Sequence, residues 1–521
     1  MKVYVWIAIL LLFSCSGGSD NPDPIVTVDT TPPQLVLIGN DIVSIQQGVA
    51  FADAGVTAND DVDGDISTAV EVEGEVDTNV LGNYVLTYKV SDSAGNAAVA
   101  LNRTVLVVND SLFLQVAIDT HGETIVDEPK ILASMQMMAA NEMIYDGNIG
   151  IEIRGSSSQS FDKKSYGFET WDSEGNDMNF ALANFPEEED WIFYGPFSDK
   201  SLMRNVLIYQ LSNEMGRYAT RTEFSEVSIN GEYQGLYVLM EKMKRDKNRV
   251  DVSKLKDDDI TGGYIIKIDK TTGEDQNTDF VFSSLYDGFG DSNGSQKIKF
   301  LYEYPDAEDL SDQQKSYIQE YYHGFEQALK SNQFTEPTNG YQKYIDVASF
   351  IDFFILNEIS HNVDGFRIST FMHKDKGEKL KMGPIWDFNI AFGNADYCRG
   401  ETTDDWAYKF NEYCPNDQFR VPFWWARLLE DPAFVAALQL RWAELRADVL
   451  SQAKVQSKIA THSANLIYSN SVQRNFDTYD VLGRYVWPNF FIGETFEQEI
   501  NYLDDWILQR LQWMDTAIAD L

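Results

Sequence analysis

Apolar positions divide the chain into a β-rich first part and a larger remainder that mixes strands with helices. Between residues 31 and 109, short apolar runs are separated by glycine, asparagine and aspartate. Examples are 35–38, 84–90 and 103–108. Regular short strands with turn signals over about 80 residues are typical of a small β-sandwich. The pattern therefore predicts an all-β sandwich domain over 31–109.

From residue 112 to residue 521 the pattern predicts one large α+β region. Strand-like runs come first, at 149–153, 224–229, 235–240 and 264–268. A helix is expected between them over Ser201–Met215, ended by Gly216. The polar, glycine-rich stretch 269–295 is expected to form an insertion or a loop. The last third has helical periodicity, with helices predicted at Ser311–Ser331, Tyr344–His361, Trp424–Leu450 and Gln498–Ala519.

The first residues have the pattern of an export signal. Lys2 precedes an apolar run over 3–13, which has the length of a signal-peptide core and is too short to span a membrane. The sequence Leu12–Cys15 resembles the lipobox of bacterial lipoproteins, in which the cysteine becomes the lipidated N-terminus. We therefore predict a lipoprotein signal peptide over 1–15 with lipidation at Cys15. A plain secretory signal with an incidental cysteine is the alternative.

This interpretation predicts an extracytoplasmic lipoprotein at the outer membrane or cell surface, in contact with the membrane through its lipid anchor only. Residues 16–30 would form a flexible tether, since they are rich in glycine, serine, proline and aspartate. Outside the cytoplasm, the even pair Cys398 and Cys414 indicates one disulfide. Two free thiols are the alternative, which the sequence leaves open.

The charge balance narrows the classes of partner. Acidic residues outnumber basic ones by 82 to 41, which gives a formal net charge of −41. Proteins that bind nucleic acid need Lys and Arg to neutralise phosphates, so no nucleic-acid partner is expected. An acidic surface of this kind instead attracts divalent cations. The sequence also contains no Walker-type phosphate loop, zincin helix motif or G-x-S-x-G elbow, which disfavours those enzyme classes.

Two aspartates are the strongest candidates for chemistry. Asp364 lies at the exit of an apolar helix predicted over 350–359, and Asp387 lies between Trp386 and Phe388. They are 23 residues apart, so they can meet across a hairpin. Phosphoryl transfer requires such a pair, because one carboxylate orients the acceptor hydroxyl and the other holds Mg²⁺.

This segment resembles the spore-coat protein H (CotH) kinase family of atypical, protein-kinase-like enzymes. Further motifs occur in the order of that family, at Arg154–Ser158, Lys163–Tyr166, Asp199–Asn205, Asn230–Tyr237 with Glu241, Gly262–Tyr264, Phe423–Trp424, Asp431–Pro432 and Arg441–Trp442. The resemblance implies an α+β atypical protein-kinase-like domain over 112–521, with a helical C-terminal part.

The resemblance also implies roles for individual residues. Asp364 corresponds to the catalytic aspartate and Asp387 to the metal-binding aspartate. Lys164 resembles the lysine that contacts the phosphates of ATP, and Glu241 is the candidate partner that positions it. Arg154 and the serines after it resemble a phosphate-covering loop, since small residues let backbone N–H groups approach anions.

Asn389 departs from the family pattern, which has a second aspartate two positions after the metal-binding one. An asparagine still offers a carbonyl oxygen to a metal but lacks the negative charge, which puts the metal affinity in question. We expect Asp387 and Asn389 to hold Mg²⁺ or Mn²⁺ together with ATP.

Two functions of different classes are compatible with this resemblance. The first is an extracytoplasmic kinase that transfers the γ-phosphate of ATP to Ser or Thr of an unknown surface or secreted protein. The second is a non-catalytic surface adhesin or scaffold that retains the CotH fold. Asp364 and Asp387 favour the enzyme, whereas Asn389 and the scarcity of ATP outside the cytoplasm favour the binding protein.

The first domain resembles the bacterial Ig-like modules of secreted and surface proteins, in the sequences 31–33, 59–65 and 92–96. Such a module implies a spacer or an interaction unit and not an enzyme. Its acidic run Asp60–Asp65 has two interpretations, a Ca²⁺ site made of closely spaced carboxylates or a solvated turn. The sequence leaves both open.

Overall fold

The computed structural model describes residues 28–256, 259–271, 281–290 and 297–521. The chain divides into two units between Val107 and Val108. The predicted signal peptide, the lipidation site Cys15 and the tether as far as residue 27 lie outside the described residues. In the part of the chain that the structure describes, no helix combines the length and the apolar character needed to cross a bilayer.

The first unit consists of two small sheets. Its strands are β1 (Gln34–Leu37), β2 (Ile42–Gln46), β3 (Val56–Asp60), β4 (Gly64–Asp65), β5 (Glu71–Glu73), β6 (Gly82–Lys89) and β7 (Leu101–Val108). One sheet has the order β1-β3-β4 and the other β2-β7-β6-β5. Leu35 of the first sheet packs into one core with Leu86 and Val105 of the second. The predicted β-rich, Ig-like region is therefore confirmed.

A closed seven-stranded barrel lies at the beginning of the second unit. Its strands are β8 (Leu114–Asp119), β9 (Ile131–Ala139), β10 (Glu142–Arg154), β11 (Ser165–Trp171), β12 (Asp190–Tyr194), β13 (Thr222–Ile229) and β14 (Glu232–Glu241). Their order is β10-β11-β12-β14-β13-β8-β9, and the first and last strands of this order also pair, so the sheet forms a ring. The parallel pairing of β13 with β8 joins segments far apart in the chain. The strand pattern does not indicate a barrel, because closure depends on that pairing.

The barrel strand β14 is buried on both faces. Tyr237 and Leu239 lie in the core inside the barrel. Leu236 and Val238 pack on the outside, in the same core as helix α1 (Arg204–Glu214). A strand buried on both faces gives a continuous apolar run in the sequence, as this strand does.

A second sheet of five antiparallel strands follows. The strands are β15 (Tyr264–Ile268), β16 (Val281–Asp287), β17 (Lys297–Tyr304), β18 (Thr370–Lys374) and β19 (Lys381–Met382), in the order β16-β17-β15-β18-β19. Strand β16 lies inside the stretch 269–295, so the expectation of a loop is wrong there. Its buried positions include Ser284, which donates to Glu326 Oε1 at 2.6 Å. A polar residue on the buried face weakens the alternation that identifies a strand.

The C-terminal part of the second unit is helical, as predicted. Its helices are α2 (Asp312–Lys330), α3 (Val347–Ser360), α4 (Phe410–Tyr413), α5 (Trp424–Leu428), α6 (Pro432–Ala447), α7 (Gln452–Tyr468), α8 (Ser471–Thr478) and α9 (Phe496–Ala519). The single helix predicted over Trp424–Leu450 is divided into α5 and α6. Asp431 caps α6 by accepting from the Ala433 N–H, and Pro432 takes its first position. Proline disfavours the helical conformation in the residue before it, so the two helices are separated.

A fully buried ion pair joins α3 to α9. Arg510 Nη2 lies 3.0 Å from Glu358 Oε2. The same guanidinium donates to the carbonyl oxygens of Glu358 and Asp405. The Glu358 carboxylate also accepts from the backbone N–H groups of Ala407 and Tyr408. Because both charges are hydrogen-bonded, the pair fixes α9 against the helix that leads to Asp364.

We predict that Arg510→Ala destabilises the second unit by about 3–5 kcal/mol, because it leaves the buried Glu358 carboxylate without its cation. Urea unfolding of the full chain measures this change. The control is Arg484→Ala, which removes an exposed arginine that pairs with Asp480 and should cost less than about 1 kcal/mol. Equal losses in the two variants would contradict the role of the buried pair.

Candidate active site

A cavity of about 470 Å³ lies in the second unit, where the ends of several elements meet. The end of β10, the beginning of α1, the end of β15 and the segments after α3 and β19 border it. Both predicted aspartates, Asp364 and Asp387, lie in its wall. The charged residues that line it are Arg154, Lys267, Asp269, Lys270, Asp364, Arg367, Asp387 and Asp417.

Asp387 follows β19 in a segment that distant parts of the chain hold in place. Its backbone N–H donates to the Tyr209 hydroxyl oxygen at 3.0 Å, and its carbonyl oxygen accepts from Asn362 Nδ2 at 3.2 Å. The N–H of Phe388 donates to Asn205 Oδ1 at 2.8 Å. Asp387 has a φ of +63°, a left-handed conformation that is unfavourable outside glycine and concentrates at functional sites. The surrounding hydrogen bonds maintain this conformation.

Asp364 lies in the turn that follows α3. Arg367 Nη2 is 2.9 Å from Asp364 Oδ1, and Arg367 Nη1 is 3.1 Å from Asp417 Oδ1. Gly365 is required in this turn, because a Cβ there would lie 2.4 Å from Asn357 Oδ1. Because it contacts Asp364 Oδ1, the buried guanidinium of Arg367 fixes the orientation of the Asp364 carboxylate.

Negative charge is concentrated around Asp387. Burial raises the pKa of Asp387 to about 7, and the neighbouring carboxylates of Asp364 and Asp269 act in the same direction. Lys270 and Arg154 oppose this rise in the pKa. Burial likewise raises the pKa of Asp269. A carboxyl group whose charge is under-compensated in this way is suited to binding an added cation.

Positive side chains and a turn of serines line the same cavity. Arg154 is the last residue of β10, and Lys270 Nζ donates to Ser157 Oγ at 3.2 Å. The chain turns at Gly155, between Arg154 and Ser157, with a φ of +109°. Glycine suits this position because a Cβ there would lie 2.1 Å from Ser158 Oγ. Positively charged side chains beside a turn of small residues suit the binding of phosphate groups.

The structure does not bring Lys164 and Glu241 together, and neither is among the residues that line the cavity. Lys164 Nζ donates to the carbonyl oxygens of Gln159 and Phe161, at 2.8 and 2.5 Å. Glu241 is fully buried, and its Oε1 lies 2.6 Å from Arg221 Nη1. The expected lysine–glutamate pair therefore does not form, because each side chain is taken up by other partners. The positive charge at the cavity comes from other residues.

Asn389 lines the cavity two positions after Asp387. Its Nδ2 lies 3.5 Å from Ser198 Oγ, so its Oδ1 is the atom suited to a metal. Among the described residues, groups of three carboxylates within 4.8 Å of one another occur elsewhere and not at this cavity. A cation here would have few protein ligands, which is usual for Mg²⁺ bound together with phosphates and water.

The cysteines Cys398 and Cys414 are joined by a disulfide. Tyr397, beside the first cysteine, lines the cavity, and so does Asp417, three positions after the second. The Asp417 N–H donates to the Cys414 carbonyl oxygen at 3.2 Å. The disulfide therefore connects two segments of the cavity wall, one of which supplies the second partner of Arg367.

Five charged residues of the cavity belong to no motif that the sequence offers: Lys267, Asp417, Asp269, Lys270 and Arg367. A weak signal exists for the last three. Asp269 and Lys270 directly follow the strand predicted at 264–268. Arg367 stands three positions after Asp364, a spacing at which charged side chains meet within one turn.

Family models match both units of the chain. The model described as CotH kinase protein matches residues 151–514, and the model described as bacterial surface protein, Ig-like domain, matches residues 35–107. The first match covers more than half of the chain. The protein therefore belongs to the CotH family, and its CotH domain is preceded by a bacterial surface Ig-like domain.

One similar curated protein is the inner spore coat protein H of Bacillus subtilis (strain 168), which is 23% identical over 274 residues. That match covers 50% of this chain and 66% of the relative's own length. Among solved structures, the lipoprotein BT2262 of Bacteroides thetaiotaomicron is 15% identical, with a TM-score of 0.15, over 40% of this chain and 100% of that one. A structure of CBM51-2 and INT domains of Clostridium perfringens ZmpB is 14% identical, with a TM-score of 0.13, over 27% and 30% of the two chains. Scores this low carry no structural argument.

We predict that Asp387→Asn stabilises the second unit at pH 8 in metal-free buffer containing a chelator. The native state retains a proton that the unfolded state releases between the ordinary pKa of 3.8 and the raised value of about 7. The stability of the wild type therefore falls as the pH rises through this window, whereas the neutral amide does not titrate. The gain is about 2 kcal/mol at pH 8 after allowance for water in the cavity, and it vanishes near pH 4.

Thermal unfolding of the full chain across this pH range measures the effect. Asp364→Asn is the matched control, because it removes the negative charge that pairs with the buried Arg367 and should not stabilise the protein. A loss of stability in Asp387→Asn at every pH would contradict the interpretation that the charge of Asp387 is under-compensated in the native state.

Proposed function

We propose that this protein is an extracytoplasmic kinase that transfers the γ-phosphate of ATP to Ser or Thr of a surface or secreted protein, with Mg²⁺ or Mn²⁺. The observation that supports this most strongly is the meeting of Asp364 and Asp387 in one cavity, beside the cations of Arg154 and Lys270. Membership of a family whose model is described as a kinase protein supports the same chemistry. The protein-kinase-like fold that the resemblance implies is part of this proposal.

The residues present fit a divalent cation bound with a nucleotide. Asp387 offers a carboxylate crowded by two other acidic side chains, and Asn389 offers an amide oxygen beside it. These two residues would hold the metal. When bound, the metal would neutralise negative charge on the phosphates of the nucleotide. Arg154 and Lys270 would bind phosphate oxygens from the protein side, with the N–H groups of the serine turn.

Asp364 would act on the acceptor and not on the nucleotide. Its Oδ1 is fixed by Arg367, so Oδ2 is the oxygen that would accept the hydrogen bond of a Ser or Thr hydroxyl. A carboxylate in this position would orient the hydroxyl and take its proton as the new oxygen–phosphorus bond forms and the bond from the γ-phosphorus to the leaving ADP breaks. The ion pair with Arg367 keeps the carboxylate in one orientation for this role.

The first domain supports a location outside the cytoplasm or at a surface. Its family is described as an Ig-like domain of bacterial surface proteins, and the similar Bacillus protein is a spore coat protein. Lipidation at Cys15 and anchoring at the outer membrane or cell surface are part of the proposal. They would hold the cavity close to surface proteins, which are then the expected substrates.

A non-catalytic surface adhesin or scaffold is the second candidate. Asn389 favours it, because the amide removes one negative charge from the proposed metal site. The crowding of Asp387 by other carboxylates works against it, since a protein that only binds partners gains nothing from this unfavourable arrangement.

We predict that three variants separate the roles of these residues. Asp387→Ala should abolish metal-dependent nucleotide binding, because the cation loses its main ligand. Asp364→Ala should bind nucleotide nearly as well as the wild type but lower phosphoryl transfer about 10²–10⁴-fold. Asn389→Asp should tighten metal binding, because it adds a charge at the site. Calorimetric titration of ATP with Mg²⁺ or Mn²⁺, beside a transfer assay with labelled ATP, measures all three.

The control variant is Asp480→Ala, which removes an exposed carboxylate paired with Arg484. It should leave both binding and transfer unchanged. If the wild type binds no nucleotide with either metal, the kinase proposal fails and the surface-binding candidate replaces it. If it binds nucleotide but Asp364→Ala transfers phosphate normally, the role of Asp364 is wrong.

A further inference from the structure

Three carboxylates of the first unit converge at one point that lies outside the active site. Asp29 precedes β1, Asp60 ends β3 and Asp92 follows β6. One oxygen of each carboxylate lies within 4.8 Å of the corresponding oxygens of the other two. Two oxygens that both contact a calcium ion at about 2.4 Å are separated by no more than about 4.8 Å, so this spacing allows all three to bind one ion.

The deepest of these carboxylates has an oxygen without a partner. Asp60 is 4% exposed, and its Oδ1 accepts from the backbone N–H groups of Val62 and Asp63, each at 2.9 Å. Its Oδ2 is buried and has no hydrogen-bond partner among the described residues. A buried charged oxygen without a donor is unfavourable unless a cation or an ordered water satisfies it.

The other acidic residues of the same turn have different tasks. Asp63 accepts from the backbone N–H and the hydroxyl of Ser93, at 2.7 and 2.8 Å. Asp65 accepts from the backbone N–H and the hydroxyl of Ser67, at 3.0 and 2.6 Å. These bonds shape the turn and leave Asp60 as the member of the acidic run that belongs to the cluster.

We propose that Asp29, Asp60 and Asp92 form a Ca²⁺ site in the Ig-like domain. Ca²⁺ accepts six to eight oxygen ligands in flexible geometry, so three carboxylates and water molecules suit it. The site differs from the one that the acidic run alone suggested, since two of its three ligands come from outside that run. The assignment does not depend on the proposed kinase activity, which concerns the other unit.

Binding of the ion has a structural consequence for the domain. It connects the segment before the first strand to the turn after β3 and to the loop after β6. Asn96 already joins two of these segments, since its Nδ2 donates to the Asp29 carbonyl oxygen at 3.2 Å and to Asp92 Oδ2 at 2.8 Å. The ion would therefore fix the point at which the chain enters the Ig-like domain from the predicted tether.

The test is calorimetric titration of Ca²⁺ into the full, chelator-treated chain carrying Asp387→Asn, so that the cavity of the second unit contributes little. The expected result is binding of one ion that raises the unfolding temperature of the first unit. Asp60→Asn keeps the Oδ1 acceptor but replaces the orphan oxygen, and it should weaken Ca²⁺ binding at least about tenfold. Asp92→Asn should do the same, which guards against a folding defect specific to one variant.

The matched control is Asp61→Asn, because Asp61 is exposed and belongs to the same run but not to the cluster. It removes the same charge from the same turn and should change the affinity less than about twofold. If Asp61→Asn and Asp60→Asn weaken Ca²⁺ binding equally, the loss reflects the net charge of the turn and not a ligand, and the proposed site is overturned. The absence of Ca²⁺ binding in the parent chain, or binding unaffected by Asp60→Asn, would overturn it as well.

Discussion

The crowded, partly buried charge of Asp387 is the constraint on which the candidate site depends. Its carboxylate lies in a cavity beside Asp364 and Asp269, and burial with these neighbours raises its pKa to about 7. Such an arrangement is unfavourable in the isolated protein and becomes favourable when a cation enters. Arg154 and Lys270 reduce the cost only in part, so the cavity combines an under-compensated carboxylate with positive side chains.

The rest of the second unit holds this unfavourable group in place. Helix α1 contributes Tyr209 and Asn205, which accept hydrogen bonds from the backbone N–H groups of Asp387 and Phe388, respectively. The buried Glu358–Arg510 pair fixes α3, and the turn after α3 presents Asp364. These contacts come from segments far apart in the chain. The geometry of two carboxylates therefore rests on the packing of the whole CotH domain and not on a local motif.

The sequence predicts the two aspartates, the β-rich first domain and the helical C-terminal part, because each has a local pattern or a family motif. It does not predict the barrel, whose closure depends on the pairing of β13 with β8. It locates only part of the positive charge, since Arg154 lines the cavity, whereas Lys164 bonds to carbonyl oxygens of its own turn and the unforeseen Lys270 lines the cavity. Side-chain direction and long-range pairing decide these features, and both leave at most a weak short-range signal in the sequence.

The most direct test of this account is a crystal structure of the protein with Mn²⁺ and a non-hydrolysable ATP analogue, with the metal located by its anomalous scattering. The account predicts an anomalous peak at coordination distance from the Asp387 carboxylate, with the phosphates beside Arg154 and Lys270. A nucleotide-free cavity at saturating ligand, or a metal–nucleotide complex bound away from Asp387, would contradict it.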